Sequence, residues 1–281
     1  MNKILIAVAI IMTPACMNLD FMWFSPTPVE AYELPDNHIP EDLIEEVSFE
    51  STDGVTIHGV YAARDDDGPR AGLTLYYLHG NADNIDTYWD RVMLLWDMGY
   101  NVFAIDYRGF GRSTGVPSEE GVYDDASAGL AYMIGRSDWP STTTVYYGYS
   151  LGSAVAINLS VEHPPAALIT ESALASSQAF VEDALRLPLA SSMFMDSRFD
   201  SLGKLGDVHS PVLLMHGTAD DFVRFEFSEL LVDAANEPRR LVPAEGATHG
   251  DEPGPGVPTA LGDLYELEVG GWADHYALEL E

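Results

Sequence analysis

The sequence predicts an α/β fold: a mostly parallel central sheet, entered through an N-terminal antiparallel hairpin, with helices on both faces and a short cap. Three observations carry this. Short apolar runs alternate with segments of helical period, the rhythm of βα units. The runs are nearly continuous in Val, Ile, Leu and Tyr, as strands buried on both faces are. Two alternating segments flank Thr52-Asp53-Gly54 before the first βα unit, which reads as a hairpin.

The hairpin is expected over Ile44–Glu50 and Val55–Ala63, where Val55, Ile57, Gly59 and Tyr61 alternate. Parallel strands are expected at Leu73–Leu78, Asn101–Ile105, Thr144–Tyr147, Ala166–Thr170, Val212–Met215 and Arg240–Pro243. Helical periods lie between them, at Thr87–Met98, Gly121–Ile134, Leu151–Glu162 and Phe225–Ala235. The rhythm breaks over Ser172–Val208. There Leu185, Leu187, Met193, Phe194 and Met195 stand among Ser and Asp, and the stretch reads as a cap with an apolar face over the carboxyl edge of the sheet.

At 281 residues the chain can bury a core without disulfides or metals. Its net charge is −32, with only two lysines, Lys3 and Lys204, while 47% hydrophobic content excludes a disordered acidic chain. A polyphosphate would be repelled, so nucleic acid is excluded as a partner. An anionic bilayer would repel it too, so membrane association needs an anchor. So acidic a surface, nearly empty of lysine, is expected to be adapted to salt. The lone Cys16 rules out a disulfide framework or a cysteine-rich zinc site.

Residues Ile4–Met12 form an apolar run of nine residues behind Lys3. As a helix it would rise about 14 Å, half of a ~30 Å bilayer core, which suits the apolar region of a secretory signal and not a span. Thr13-Pro14-Ala15-Cys16 resembles a bacterial lipobox, with Thr13 and the single lysine as departures. The expected organisation is a signal peptide over 1–15, a lipidated tether over 16–43 beginning at Cys16, and a domain over 44–281 with its cap at 172–208. Met17 after the cysteine, by resemblance to Gram-negative lipoproteins, points to the outer membrane of the cell envelope. Pro26, Pro28, Pro35 and Pro40 make the tether extended, and it is expected to pack on the domain.

Chemistry is carried by Gly148-Tyr149-Ser150-Leu151-Gly152, set between the apolar run TTVYY and a helical period. Gly-x-Ser-x-Gly puts a serine on a sharp strand-to-helix turn where a Cβ at either glycine would strike backbone. A serine nucleophile needs a base and an acid to orient it. The strand Val212–Met215 leads into His216-Gly217-Thr218-Ala219-Asp220-Asp221, offering Asp220 as the acid with Asp221 in competition. The strand Arg240–Pro243 leads into a loop carrying His249. The strand Leu73–Leu78 ends at His79-Gly80-Asn81, where the N–H of Asn81, with that of Leu151, is the expected oxyanion hole. His79 and His216 read as structural histidines satisfied by nearby backbone, and Arg108 and Arg112 as loop organisers.

The segments HGNADNI (79–85), DYRGFGRS (106–113), PSEEG (117–121), GYSLG (148–152), RFDSLGKL (198–205), HGTADDFV (216–223) and GATHGD (246–251) resemble the α/β-hydrolase fold superfamily. The branch most similar is that of the serine-aminopeptidase-like hydrolases, with bacterial envelope forms and eukaryotic alpha/beta-hydrolase-domain proteins. The resemblance covers Leu43 to Asp251 and places Ser150, Asp220 and His249 at the triad positions. It implies a serine hydrolase acting through an acyl-enzyme on small acyl esters, thioesters or lipid-like substrates, with no cofactor and no metal. An aminopeptidase or amidase, or a membrane-tethered binding protein without turnover, are the alternatives. Glu252–Pro258 (EPGPGVP) departs from the family, whose members begin a helix soon after the histidine.

Overall fold

The computed structural model describes residues 23–139, 143–185, 196–250 and 264–278. The expected signal peptide, Cys16, residues Leu187 and Met193–Met195 of the expected cap, and the Glu252–Pro258 stretch lie outside the described residues. Eight strands form one sheet: β2 (Ile44–Glu50), β3 (Thr56–Ala62), β4 (Leu73–Leu78), β6 (Asn101–Asp106), β7 (Thr143–Tyr149), β8 (Ala167–Glu171), β9 (Val212–Gly217) and β10 (Arg239–Ala244), in the order β10-β9-β8-β7-β4-β6-β3-β2. Pairing is parallel from β6 to β10 and antiparallel at β6–β3 and β3–β2. A separate short pair joins β1 (Ser25–Pro26) to β5 (Ala82–Asp83).

Alternate residues of the strands feed two cores, as the two-residue pleat requires. Tyr76, Leu78, Phe103, Tyr146, Leu168 and Leu214 face one side, packed with α2 (Glu119–Gly135), α3 (Leu151–Glu162) and α6 (Phe225–Ala234). Leu75, Tyr77, Val102, Val145, Ile169 and Leu213 face the other, under α1 (Trp89–Asp97) and the C-terminal helix α7 (Gly271–Ala277), which π-helical Tyr265–Gly270 precedes. The expected helix from Thr87 starts instead as a 3-10 turn, Ile85–Tyr88, capped by the Asn84 side chain on the N–H of Asp86. Within 172–208, the stretch expected to form a cap, α4 (Ser177–Leu185) and the single turn α5 (Ser201–Lys204) are helical.

The chain leaves β4 toward β6 on one side and returns to β7 on the other, so β4 is the switch point of the sheet. Clefts for ligands in open α/β sheets lie at the carboxyl ends of the strands beside such a point. Ser150 follows the end of β7 directly, and Asn81 comes three residues after the end of β4.

Candidate active site

Ser150 sits between β7 and α3 with φ 52° and ψ −117°, a conformation that costs an ordinary residue about 1–3 kcal/mol. The two glycines of its motif are forced by contact. A Cβ on Gly148 would lie 2.4 Å from the Gly152 carbonyl, and one on Gly152 would lie 1.9 Å from that of Leu78. The Ser150 N–H donates to the Glu171 carbonyl at 2.8 Å, fixing the turn against β8.

His249 and Asp220 meet because β9 and β10 pair in register and their following loops stay paired. Thr218 N donates to Ala244 O and Ala219 N to Ala247 O, both at 3.0 Å. Asp220 Oδ2 then lies 2.8 Å from His249 Nδ1, and His249 Nε2 lies 3.1 Å from Ser150 Oγ. The carboxylate only accepts, so the imidazole proton is on Nδ1 and Nε2 is free to accept from the serine hydroxyl. Asp221 is exposed, whereas the Asp220 side chain is fully buried, which separates the two candidates.

Asp220 is held on all sides. Its Oδ1 accepts from the N–H groups of Phe222 (3.0 Å) and Val223 (2.8 Å). Burial acts to raise its pKa, but hydrogen bonds from His216 and His249, the charge of His249 and the Val223 N–H keep the carboxyl well below the usual range. His216 is therefore more than a histidine satisfied by backbone. Its Nε2 is 2.7 Å from the Val223 carbonyl and 3.2 Å from Asp220 Oδ2, and its Nδ1 is 2.6 Å from Ser228 Oγ. Since the carbonyl can only accept, Nε2 carries the proton and donates it to Val223 O, with the Asp220 carboxylate beside it at 3.2 Å.

Asn81 and Leu151 stand beside Ser150 in one cavity, whose apolar walls are Trp23, Leu174, Phe180 and Phe222. Leu151 opens α3, so its N–H has no helical carbonyl to bond and the helix dipole adds partial positive charge there. A Cβ on Gly80 would meet Tyr88 Oη at 2.7 Å, which explains the glycine before Asn81. His79 is buried, with Nδ1 2.7 Å from the Gly80 carbonyl and its ring stacked on Tyr88. Arg108 holds Asp125 through Nε and Nη2, and Arg112 pairs with Glu46, both away from the cavity.

Sequence reasoning missed three contributors. Trp23 reaches the cavity from the segment that precedes the sheet, and only its place in an aromatic-rich stretch hinted at it. Tyr149 donates from its hydroxyl to the His249 carbonyl. Behind it, buried Arg91 pairs with Glu171 at 3.3 Å. No spacing in the sequence announces a partner 80 residues away.

A strand-ordered sheet of this kind, a strained serine on a Gly-x-Ser-x-Gly elbow and an aspartate and histidine after β9 and β10 define an α/β-hydrolase architecture. The model of the serine aminopeptidase (S33) family matches residues 69–202. An uncharacterized protein of Mycobacterium tuberculosis, Rv2307c, is 36% identical over 207 residues, 73% of this chain and 72% of the relative. The human alpha/beta hydrolase domain-containing protein 17B is 29% identical over 184 residues, 65% of this chain and 62% of the relative. The chain belongs to the α/β-hydrolase superfamily. Among solved structures, the Pyrococcus furiosus esterase Pf2001 shares the fold with a TM-score of 0.69 at 20% identity, over 90% of this chain and 99% of that one.

Proposed function

We propose that the protein is a serine hydrolase that cleaves carboxylic esters or thioesters through an acyl-enzyme on Ser150. The observation that carries the proposal is the continuous proton path from Ser150 Oγ to His249 Nε2 at 3.1 Å and from His249 Nδ1 to Asp220 Oδ2 at 2.8 Å. His249 takes the serine proton as Oγ attacks the acyl carbonyl, and Asp220 stabilises the imidazolium that forms. The Asn81 and Leu151 N–H groups receive the developing oxyanion. His249 then protonates the leaving alkoxide or thiolate, and water, activated by the same imidazole, releases the acid.

Esters are favoured over amino-terminal peptides by the character of the cavity. An aminopeptidase must hold a substrate ammonium, yet among the described residues lining the cavity none is acidic. The walls are apolar and aromatic, which suits an acyl group. The esterase that shares the fold is in keeping with this. A series of p-nitrophenyl esters against aminoacyl anilides tests the choice: turnover of the esters is expected, and preference for the anilides would overturn it.

The reading extends to the N-terminus. The leader and Cys16 support a mature chain tethered by lipid to the bacterial envelope, at the outer membrane. Intact-mass measurement of the membrane fraction is expected to give an acylated chain starting at Cys16. A soluble product starting elsewhere would refute it.

A further inference from the structure

Residues 23–34 lie upstream of the region matched by the serine aminopeptidase family, yet one of them, Trp23, lines the candidate site. Trp23 is 5% exposed and lines the cavity, its ring 5.4 Å from Phe180 of the cap and 5.7 Å from Phe199. Phe180 is in turn 5.3 Å from Phe222, and Phe222 is 4.9 Å from His249. One aromatic wall therefore runs from the tether across the cap to the imidazole.

The position of Trp23 is set by the strap that follows it. Ser25 N donates to Asn81 O at 2.8 Å and Thr27 N to Asp83 O at 3.0 Å, so the strap is pinned to the loop after β4. Phe24 packs edge-on against Phe110 and Phe199. Further along, Glu33 and Leu34 donate to Asp86 Oδ1, each at 2.9 Å, and Tyr32 donates to buried Asp106 at 2.7 Å. An indole held this way is a fixed wall, not a side chain resting on the surface.

We infer that Trp23 is the residue that sets acyl-chain length, closing the acyl side of the cavity so that the enzyme takes short acyl groups. The inference rests on the serine-hydrolase reading above. The cavity volume is about 40 Å³, well below the ~300–1,000 Å³ usual for ligand sites. Replacing the indole by a smaller side chain extends it along the wall that Phe180 continues.

The test compares kcat/KM for p-nitrophenyl acetate, butyrate and octanoate in wild type, Trp23→Leu and Trp23→Ala, with a thermal melt of each. Wild type is expected to favour butyrate over octanoate. Both variants are expected to raise the octanoate-to-butyrate ratio by about 10-fold, the scale at which apolar pockets discriminate chain length. Trp23→Leu serves if Trp23→Ala does not fold. A ratio within twofold of wild type in a folded variant would overturn the inference and leave the hydrolase reading intact. A wild type that turns over none of the esters and resists a fluorophosphonate would refute that reading and this inference with it.

Discussion

The Tyr149 hydroxyl donates to the backbone carbonyl of His249 at 2.5 Å, tying the residue before the candidate nucleophile to the loop that carries its base. The two rings lie nearly parallel, with centroids 5.6 Å apart. On its other side Tyr149 carries the Arg91 guanidinium, 3.9 Å from the ring centroid. The geometry between Ser150 and His249 is thus set from the elbow as well as from Asp220. Misplacement of a reacting group by about 1 Å can cost ~10²-fold in rate.

Tyr149→Phe removes that tie and nothing that touches substrate. Its expected effect is a fall in kcat of about 10-fold with KM within about twofold, because only alignment is lost. Steady-state kinetics on one ester, with a melt to confirm folding, checks it. A raised KM at unchanged kcat would assign Tyr149 to substrate binding instead.

Asp220 and Asp221 are neighbours with opposite fates, one buried against His249 and one exposed. Asp220→Asn is expected to lower kcat by ~10⁴-fold, since an amide no longer imposes the tautomer with Nδ1 protonated. Asp221→Asn is expected to stay within about twofold. Equal losses from the two would put the acid elsewhere.

The same carboxylate gives a pH signature. Its native pKa is depressed, so Asp220 contributes stability that is fully present above its unfolded pKa of about 3.9. That contribution shrinks as pH falls from there toward the native value, where the folded chain too takes up the proton. Urea midpoints of wild type and Asp220→Asn should therefore differ by a constant amount at pH 6–8. They should converge below about pH 4. A difference that grows on acidification would contradict the sign.

Arg91 and Glu171 form a buried pair behind the elbow, and Tyr147 also donates to Glu171 at 2.7 Å. Burial opposes the charge on Glu171, but Arg91 outweighs it and keeps the carboxyl below its ordinary value. Arg91→Met leaves that carboxylate unpaired in the interior and is expected to cost about 3–5 kcal/mol in urea unfolding. A loss under about 1 kcal/mol would mean that Glu171 finds water or a proton at little cost.

Much of this was legible in the sequence. Leu73–Leu78 and Leu151–Glu162 have the bounds that their apolar pattern implies, and the other parallel strands agree within two residues at either end. Buried strands are uniform apolar runs, so their ends are marked sharply. Ser150, Asp220 and His249 come together as their places at strand ends imply, since parallel pairing brings those ends side by side. What stayed hidden is tertiary. The β1–β5 pair is two residues long and carries no periodicity. The contact of His216 with Asp220 and that of Trp23 with the cavity depend on how loops return, which local pattern does not encode.

The net charge of −32 lies outside the site and acts on the whole chain. Like charges repel across the surface, and the screening length shortens from about 30 Å at 0.01 M salt to about 3 Å at 1 M. The melting temperature is therefore expected to climb between those salt concentrations. A flat profile would refute adaptation to salt.

The most direct test of the serine-hydrolase assignment is covalent labelling with a fluorophosphonate, read by intact mass and peptide mapping. Wild type should gain one phosphonyl group, on Ser150, with labelling lost in Ser150→Ala and strongly slowed in His249→Ala. A wild type that resists the probe, or a Ser150→Ala variant that still takes it up, would contradict the assignment.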